Sequence, residues 1–370
     1  MGPARRRSEP LRTEARPGEP EPGRKKKAGR FWCDDLDCGE GLETPDGFYS
    51  THAFTDKAIA FVEEASAREA PYLLYLSYTA PNDPLHAPAE TVARFVGDYD
   101  KGWAPVAEAR YKRQVALVDP QAPRRPHLWR SWASLSAAER ENQTARMEIY
   151  AAMIAELDAG VRRLLDALEQ QGTLDSTLII FASDNGASAE LVLENSEEIG
   201  AEYPVGSVGR WTSLGPDWAE VGNTPFRFYK NDSYEGGTSD PFLVRWPDGM
   251  EETGRTAFML SHLLDIHPTL IDVASSESAP GLRGMSLLPL IRGESLPPRA
   301  QPLFNQWQDN RAVWDGNWKL VARDDGPWAL YNIADDPHET EDLSDEHPEV
   351  AERLAAAYDS WFESVLPAEE

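Results

Sequence analysis

The sequence predicts an α/β protein, in which a mostly parallel sheet flanked by helices is followed by a smaller antiparallel sheet with one helix. Three observations carry that reading. The run Thr177-Leu178-Ile179-Ile180-Phe181-Ala182 is apolar or β-branched with no polar face, the composition of a strand covered on both sides, as in parallel sheets. An amphipathic helical pattern separates it from an earlier apolar, aromatic run, Tyr72-Leu73-Leu74-Tyr75-Leu76-Ser77-Tyr78, and strand, helix, strand is the material of a βαβ crossover. Near Pro280 the composition changes, and the remainder reads as a hairpin, a further strand and a closing helix.

In chain order, residues 1–30 hold ten Lys/Arg, four Glu and five Pro with almost nothing apolar, a tail expected to be disordered. That expectation extends over 1–45, with 46–280 as the α/β domain and 281–370 as the smaller α+β part. Thr55 to Glu64 sets Ala58, Ile59, Phe61 and Val62 among charges and predicts a short amphipathic helix. After the strand at 72–78 comes the proline-punctuated loop Thr79-Ala80-Pro81-Asn82-Asp83-Pro84-Leu85-His86, and 97–135 reads as irregular. Ser136 and Glu139 form a capping box. Met147, Tyr150, Ile154, Leu157, Val161, Leu164 and Leu168 then repeat at helical spacing until Gly172. Residues 186–240 read mostly as loop, Phe242 to Trp246 as a buried strand, and Ser261 to Ala274 as a helix despite Pro268. Arg311–Val321 predicts a hairpin turning at Asp315-Gly316, Trp328–Ile333 a strand, and Pro348–Phe362 an amphipathic helix.

Apolar content of 41% and twelve tryptophans describe a packed globular chain. The net charge of −27 argues against nonspecific binding to nucleic acid or anionic membrane, and no apolar run is long enough to span a bilayer. There is no apolar h-region, so the sequence as it stands points to the cytoplasm. Cys33 and Cys38 lie close together in an acidic stretch, where a disulfide or a redox pair are both open; two cysteines alone make no zinc site.

Open α/β sheets place ligands beyond the carboxyl ends of their strands. Asp184 and Asn185 fall there, and a carboxylate beside an amide oxygen suits a hard cation such as Ca²⁺ or Mg²⁺, although Asp-Asn-Gly is also a common turn. The loop after 72–78 is expected at the same sheet edge, which makes Asn82 a candidate for the same site. A long loop such as 186–240 in a compact domain is more often an active-site wall than filler.

Several segments, in this order, resemble the type I sulfatase (arylsulfatase) family. They are Gly47-Phe48-Tyr49-Ser50-Thr51, Tyr75 to Pro81, Ser183-Asp184-Asn185-Gly186, Asn223 to Lys230, Glu235-Gly236-Gly237 and Asp265-Ile266-His267-Pro268. Further on come Arg311 to Val321 and Leu330-Tyr331-Asn332 with Asp336-Pro337 and Glu339-Thr340. The resemblance covers about 46–362. It implies the alkaline phosphatase-like α/β fold and hydrolysis of a small-molecule or carbohydrate sulfate ester. It also implies Asp184 and Asn185 as Ca²⁺ ligands (Mg²⁺ possible), Lys230 as a sulfate contact, and a formylglycine nucleophile made from Cys-x-Pro-Ser-Arg. Members are often periplasmic, secreted or lysosomal.

The departures are specific. The sequence contains no Cys-x-Pro-Ser-Arg segment, and neither Cys33 nor Cys38 fits it. Asp34-Asp35 mimics the family's paired aspartates without a preceding apolar strand. Asn82 stands where the family has a sulfate-contacting histidine, and Tyr234 where it often has another; His86 lies close to Asn82. Two alternatives to a working sulfatase therefore stay open: an inactive relative lacking the nucleophile, and a related phosphoester or phosphonate hydrolase.

Overall fold

A computed structural model describes residues 48–68, 70–117, 127–194, 197–275 and 281–365, together with the backbone pairing of 32–33 with 36–37. The expected tail, Asp34, Asp35 and Cys38 lie outside the described residues. The chain forms two compact units, one of 1–81 with 154–172 and one of 82–153 with 173–370.

In the first unit, β1 (Trp32–Cys33) and β2 (Leu36–Asp37) form a small antiparallel pair, followed by α1 (Ser50–Ser66). Helix α1 buries Thr51, Phe54, Thr55, Ala58 and Val62, the three-and-four spacing of a single face. The Thr55 and Tyr78 hydroxyls hydrogen-bond at 2.8 Å, and a Cβ at Gly160 would fall 2.6 Å from the Thr55 hydroxyl, so only glycine permits this approach.

Segment 72–78 is extended but joins no ladder among the described residues. Its period-two alternation is present, with Leu73 73% and Tyr75 77% exposed and Leu74 and Leu76 half-buried. The expected strand at 72–78 is therefore an extended segment without a ladder partner among the described residues.

The second unit opens with α2 (Ala89–Val92) and α3 (Trp103–Leu117). Helix α3 corrects the expectation of an irregular 97–135. Its tryptophan is a core residue: Trp103 packs edge-on against Trp132 and Trp218 and donates its indole N–H to the Arg130 carbonyl at 2.8 Å. Pro105 sits in the first turn, where its missing N–H costs nothing. Helix α4 (Ala137–Gln170) begins with the predicted box, Ser136 N–H to the Glu139 carboxylate at 2.7 Å and Glu139 N–H to the Ser136 hydroxyl at 3.2 Å. Gly172 follows its end at φ +70°.

Strand β3 (Ile179–Ala182) leads into β4 (Leu193–Glu194), β5 (Glu197–Glu198), α5 (Pro216–Gly222), α6 (Glu235–Thr238) and β6 (Phe242–Arg245). Helix α5, buried at Trp218, Ala219 and Val221, lies within the stretch expected to be mostly loop. Strands β3 and β6 pair as expected, but antiparallel, with Ala182 opposite Phe242 and Ile179 opposite Arg245, and their expected burial is corrected: Phe181, Phe242 and Leu243 are exposed. The expected parallel pairing fails here for a topological reason. The connection leaves and returns at one end of the pair, where Ser183 N–H meets the Pro241 carbonyl at 3.1 Å, and a parallel strand would need a crossover to the other end.

After α7 (Ile266–Val273) and α8 (Leu288–Arg292), strands β7 (Leu303–Trp307), β8 (Asn310–Asp315), β9 (Trp318–Ala322) and β10 (Ala329–Asn332) form one antiparallel sheet in the order β10-β9-β8-β7. Asp315 pairs with Trp318, so the hairpin turns on Gly316 and Asn317, one residue later than predicted. Alternation splits the sheet cleanly. Val313, Leu320 and Leu330 pack with Leu354 and Tyr358 of α9 (Pro348–Val365), while Ala312, Trp314, Val321 and Tyr331 pack with Phe228 and Tyr234. Burying each of these large side chains contributes about 1.5–3 kcal/mol. Among the described residues no helix is long and apolar enough to cross a membrane.

Candidate functional site

The candidate site is built on the loop that leaves β3. Its backbone is clipped to two further segments. The Ala187 N–H donates to the Asn223 side-chain oxygen at 2.9 Å, and the Ala187 carbonyl accepts from the Lys230 N–H at 3.1 Å. The Asn223 amide nitrogen in turn donates to the Phe228 carbonyl at 3.0 Å, fixing the curve of 223–230. Gly186 N–H reaches the Gly237 carbonyl at 3.3 Å, and a Cβ on Gly186 would lie 1.9 Å from the Gly236 carbonyl oxygen. The glycines of Asp184-Asn185-Gly186 and Glu235-Gly236-Gly237 are thus required by a backbone-to-backbone contact. Asp184 is exposed and Asn185 half-buried at the lip of this arrangement.

The Lys230 ammonium lies 3.5 Å from the Glu190 carboxylate, whose other oxygen accepts from the Asn231 amide at 2.9 Å. Asn82 is exposed. Its neighbour Asp83 turns inward, accepting the Leu214 N–H at 3.1 Å. Burial pushes the Asp83 carboxyl up to about 6; the Leu214 N–H and the Lys230 charge work the other way, and Glu190 adds to the rise. Ala187 therefore ties the backbone of Lys230 to the loop that carries Asp184 and Asn185, while the Lys230 side chain pairs with Glu190 and bears electrostatically on Asp83, the residue next to Asn82. His86, the considered substitute for a histidine at 82, bonds the Ser207 carbonyl at 3.0 Å.

Asp240, just before β6, is raised to about 8, first by burial and then by the charges of Asp184 and Glu235. Even so, among the described residues no three or more His, Cys, Asp or Glu side chains come together to hold a metal. One carboxylate and one amide oxygen fall short of the roughly six to eight oxygen ligands that Ca²⁺ takes, so the described residues do not by themselves fit Ca²⁺.

Sequence reasoning missed the support beneath the site. Lys319 on β9 is fully buried and makes ion pairs with Glu235 and Glu339, each at 2.7 Å. Glu235 N–H also donates to the Glu339 carboxylate at 2.9 Å, and the Arg227 guanidinium donates to the Glu339 carbonyl at 2.8 Å. Burial works against the Lys319 charge, but the two carboxylates outweigh it and hold its pKa above the ordinary value. For Glu339 burial wins over Lys319, and its carboxyl rises to about 7. Three segments noted separately in the sequence, around 235, 319 and 339, meet in one triad that anchors the Gly236-Gly237 turn under the Asp184 loop. The available signal was a lysine in the middle of an apolar strand, Trp318-Lys319-Leu320-Val321.

The motif at 265 is also structural. Asp265 accepts the His262 and Met285 N–H groups at 2.8 Å each and pairs with Arg299 at 2.5 Å. Pro268 falls in the first turn of α7, where it breaks no hydrogen bond.

Comparisons with known proteins bear on the family and the fold of the chain. The Sulfatase family model matches residues 13–276, and the model for the C-terminal part of N-sulphoglucosamine sulphohydrolase matches 225–358. The second model begins where Phe228 and Tyr234 join the core of the C-terminal sheet. An arylsulfatase of Klebsiella aerogenes is 33% identical over 68% of this chain and 56% of its own length. An uncharacterized sulfatase of Schizosaccharomyces pombe is 30% identical over 83% of this chain and 60% of its own. The chain thus spans rather more than half the length of these relatives. Among solved structures, Ps i-CgsB superposes with a TM-score of 0.61 at 22% identity, covering 88% of this chain and 57% of that one. The phosphonate monoester hydrolase of Agrobacterium radiobacter gives 0.52 at 20% identity, covering 84% and 60%. These likenesses place the molecule in the alkaline phosphatase-like α/β fold. With a family model matched over well more than half of its residues, the chain belongs to the sulfatase family.

Proposed function

We propose that this chain carries the sulfate-recognising wall of a hydrolase of sulfate esters. Lys230 contacts the sulfate, Asn82 lies on the rim, and Asp184 and Asn185 stand at the lip. The observation that carries this is the double clip of Ala187, which sets the Lys230 backbone within a few residues of Asp184. A fixed lysine withdraws negative charge from a transferring sulfuryl group and stabilises its transition state. Ca²⁺ and formylglycine are what family membership suggests for the complete chemistry, and the residues described here neither complete a Ca²⁺ shell nor include a Cys-x-Pro-Ser-Arg precursor.

A carbohydrate sulfate ester is the favoured substrate class. One structural neighbour was solved with its substrate D-glucosamine-2-N,6-O-disulfate and another with a neocarrahexaose, which supports a sugar-borne sulfate here. A second reading, recognition of the ester without turnover by this polypeptide, is favoured by one observation: neither cysteine in the sequence stands in the family's nucleophile segment. The test is binding and hydrolysis of 4-nitrophenyl sulfate by the chain and by its Lys230→Ala variant. Turnover lost in the variant supports the hydrolase. Saturable binding lost in the variant, without turnover, supports the second reading. Binding unaffected by Lys230→Ala overturns both.

A further inference from the structure

Trp307 closes β7 at 50% exposure, and its indole has no ring or hydrogen-bond partner among the described residues. A single exposed apolar side chain ordinarily needs no account, but the position of this one does. Alternation sets Leu303, Asn305 and Trp307 on one face of β7, opposite Trp314, Ala312 and Asn310 of β8. On that face Leu303, Ala312 and Trp314 pack with Phe228 and Tyr234, which flank Lys230 in the chain. Along it burial falls step by step, from buried Leu303 through half-buried Asn305 to exposed Trp307. The core face of the sheet thus runs out into solvent at the tip of the hairpin.

The tip is tied to the segment that carries Lys230. Trp307 and Asn310 pair across the turn Gln308-Asp309. The Asn310 amide nitrogen donates to the Asn231 carbonyl at 2.7 Å, and its side-chain oxygen accepts the Asp324 N–H at 3.0 Å. Asn231 in turn shares the Glu190 carboxylate with its neighbour Lys230. Both joined loops hold a non-glycine residue in the left-handed region, Gln308 at φ +50° and Asn231 at φ +74°. Such conformations are disfavoured and persist where the surroundings fix them, often beside a ligand. Asn305, two residues back on the face of Trp307, has a side-chain amide with no hydrogen bond among the described residues, a partner on offer to a hydroxyl.

We propose that Trp307 is the platform on which the sugar ring of the ester stacks while its sulfate lies at Lys230. The C–H face of a pyranose is apolar and covers an indole, while its hydroxyls take polar partners at the edge. Sites for small ligands combine an aromatic wall with a few placed polar groups in this way. The inference rests on the proposed function and adds to it a residue that reads the substrate beyond its sulfate.

The experiment is calorimetric titration of glucosamine 6-sulfate, and separately of inorganic sulfate at the same ionic strength, into the chain and its Trp307→Ala, Trp307→Tyr and Lys230→Ala variants. Trp307→Ala is expected to weaken the sugar sulfate about tenfold and to leave inorganic sulfate, which has no ring, within about twofold; Trp307→Tyr should keep most of the affinity. Equal affinity of the sugar sulfate for the chain and for Trp307→Ala overturns the inference and leaves the proposed function standing. An equal loss for both anions also overturns it, because Trp307 then acts only by shaping the Lys230 loop. A loss with 4-nitrophenyl sulfate but not with the sugar assigns the platform to an aryl ester and overturns the sugar reading. Affinities for both anions unchanged by Lys230→Ala, or no binding of either by the unsubstituted chain, overturn the proposed function and the inference with it.

Discussion

Replacing Lys319 by methionine tests whether the buried triad anchors the site loop. Lys319 and Glu339 are wholly buried and Glu235 nearly so, and both ion pairs run at 2.7 Å. Methionine fills similar volume but leaves two carboxylates in a dry interior with no cation. Breaking a buried pair in this way costs about 3–5 kcal/mol. For a unit of this size that corresponds to a fall in Tm on the order of 10 °C. The loss should depend on pH, with a sign that follows from Glu339. Its pKa is raised in the fold, from 4.5 to about 7, so its contribution to stability is complete below the unfolded value and declines as pH rises through about 7. Removing Lys319 takes away the charge that opposes this rise, so the decline steepens. Thermal unfolding should therefore show a larger deficit at about pH 8 than at about pH 5.5. Glu339→Gln added to Lys319→Met should restore part of it. A deficit under about 1 kcal/mol, or one independent of pH, would refute the account, since neither is compatible with two stranded buried carboxylates.

Other outcomes follow from the same geometry. Asp240→Asn should flatten the pH dependence of stability: the folded pKa is raised to about 8, so the wild-type contribution falls as pH climbs from the usual carboxylate range through that value, and the variant should be the more stable at the alkaline end in a denaturant titration. Asn223→Ala removes both ends of the clip on Ala187 and Phe228, leaving a backbone donor and acceptor unpaired at about 1–3 kcal/mol each; limited proteolysis within 223–230 should accelerate. Gly236→Ala would set a Cβ 2.2 Å from the Arg227 carbonyl oxygen and 2.3 Å from that of Phe228, so it should unfold the loop and abolish binding of 4-nitrophenyl sulfate, which equal affinity in both proteins would disprove.

What the sequence by itself determined was local and periodic. The capping box at Ser136, the helix to Gln170 and the apolar strand at 179–182 follow from spacing that the chain imposes whatever surrounds it. The ordered motifs were enough to point to the family and to mark Asp184, Asn185 and Lys230. Tertiary structure decided the rest, because it depends on partners distant in the chain. The direction of β6 against β3 was set by where a long connection returns, and no composition encodes that. Segment 72–78 has a strand's alternation, yet a strand needs another backbone to supply its hydrogen bonds, and among the described residues none does. Helix α3 was hidden because its apolar face is built around Trp103, whose packing against Trp132 and Trp218 outweighs a weak pattern. The triad was the least legible feature. Glu235 and Glu339 are ordinary charges in the sequence and Lys319 only a lysine in an apolar strand, and only a fold that buries Lys319 and Glu339 against Glu235 turns them into a single anchor beneath the candidate site.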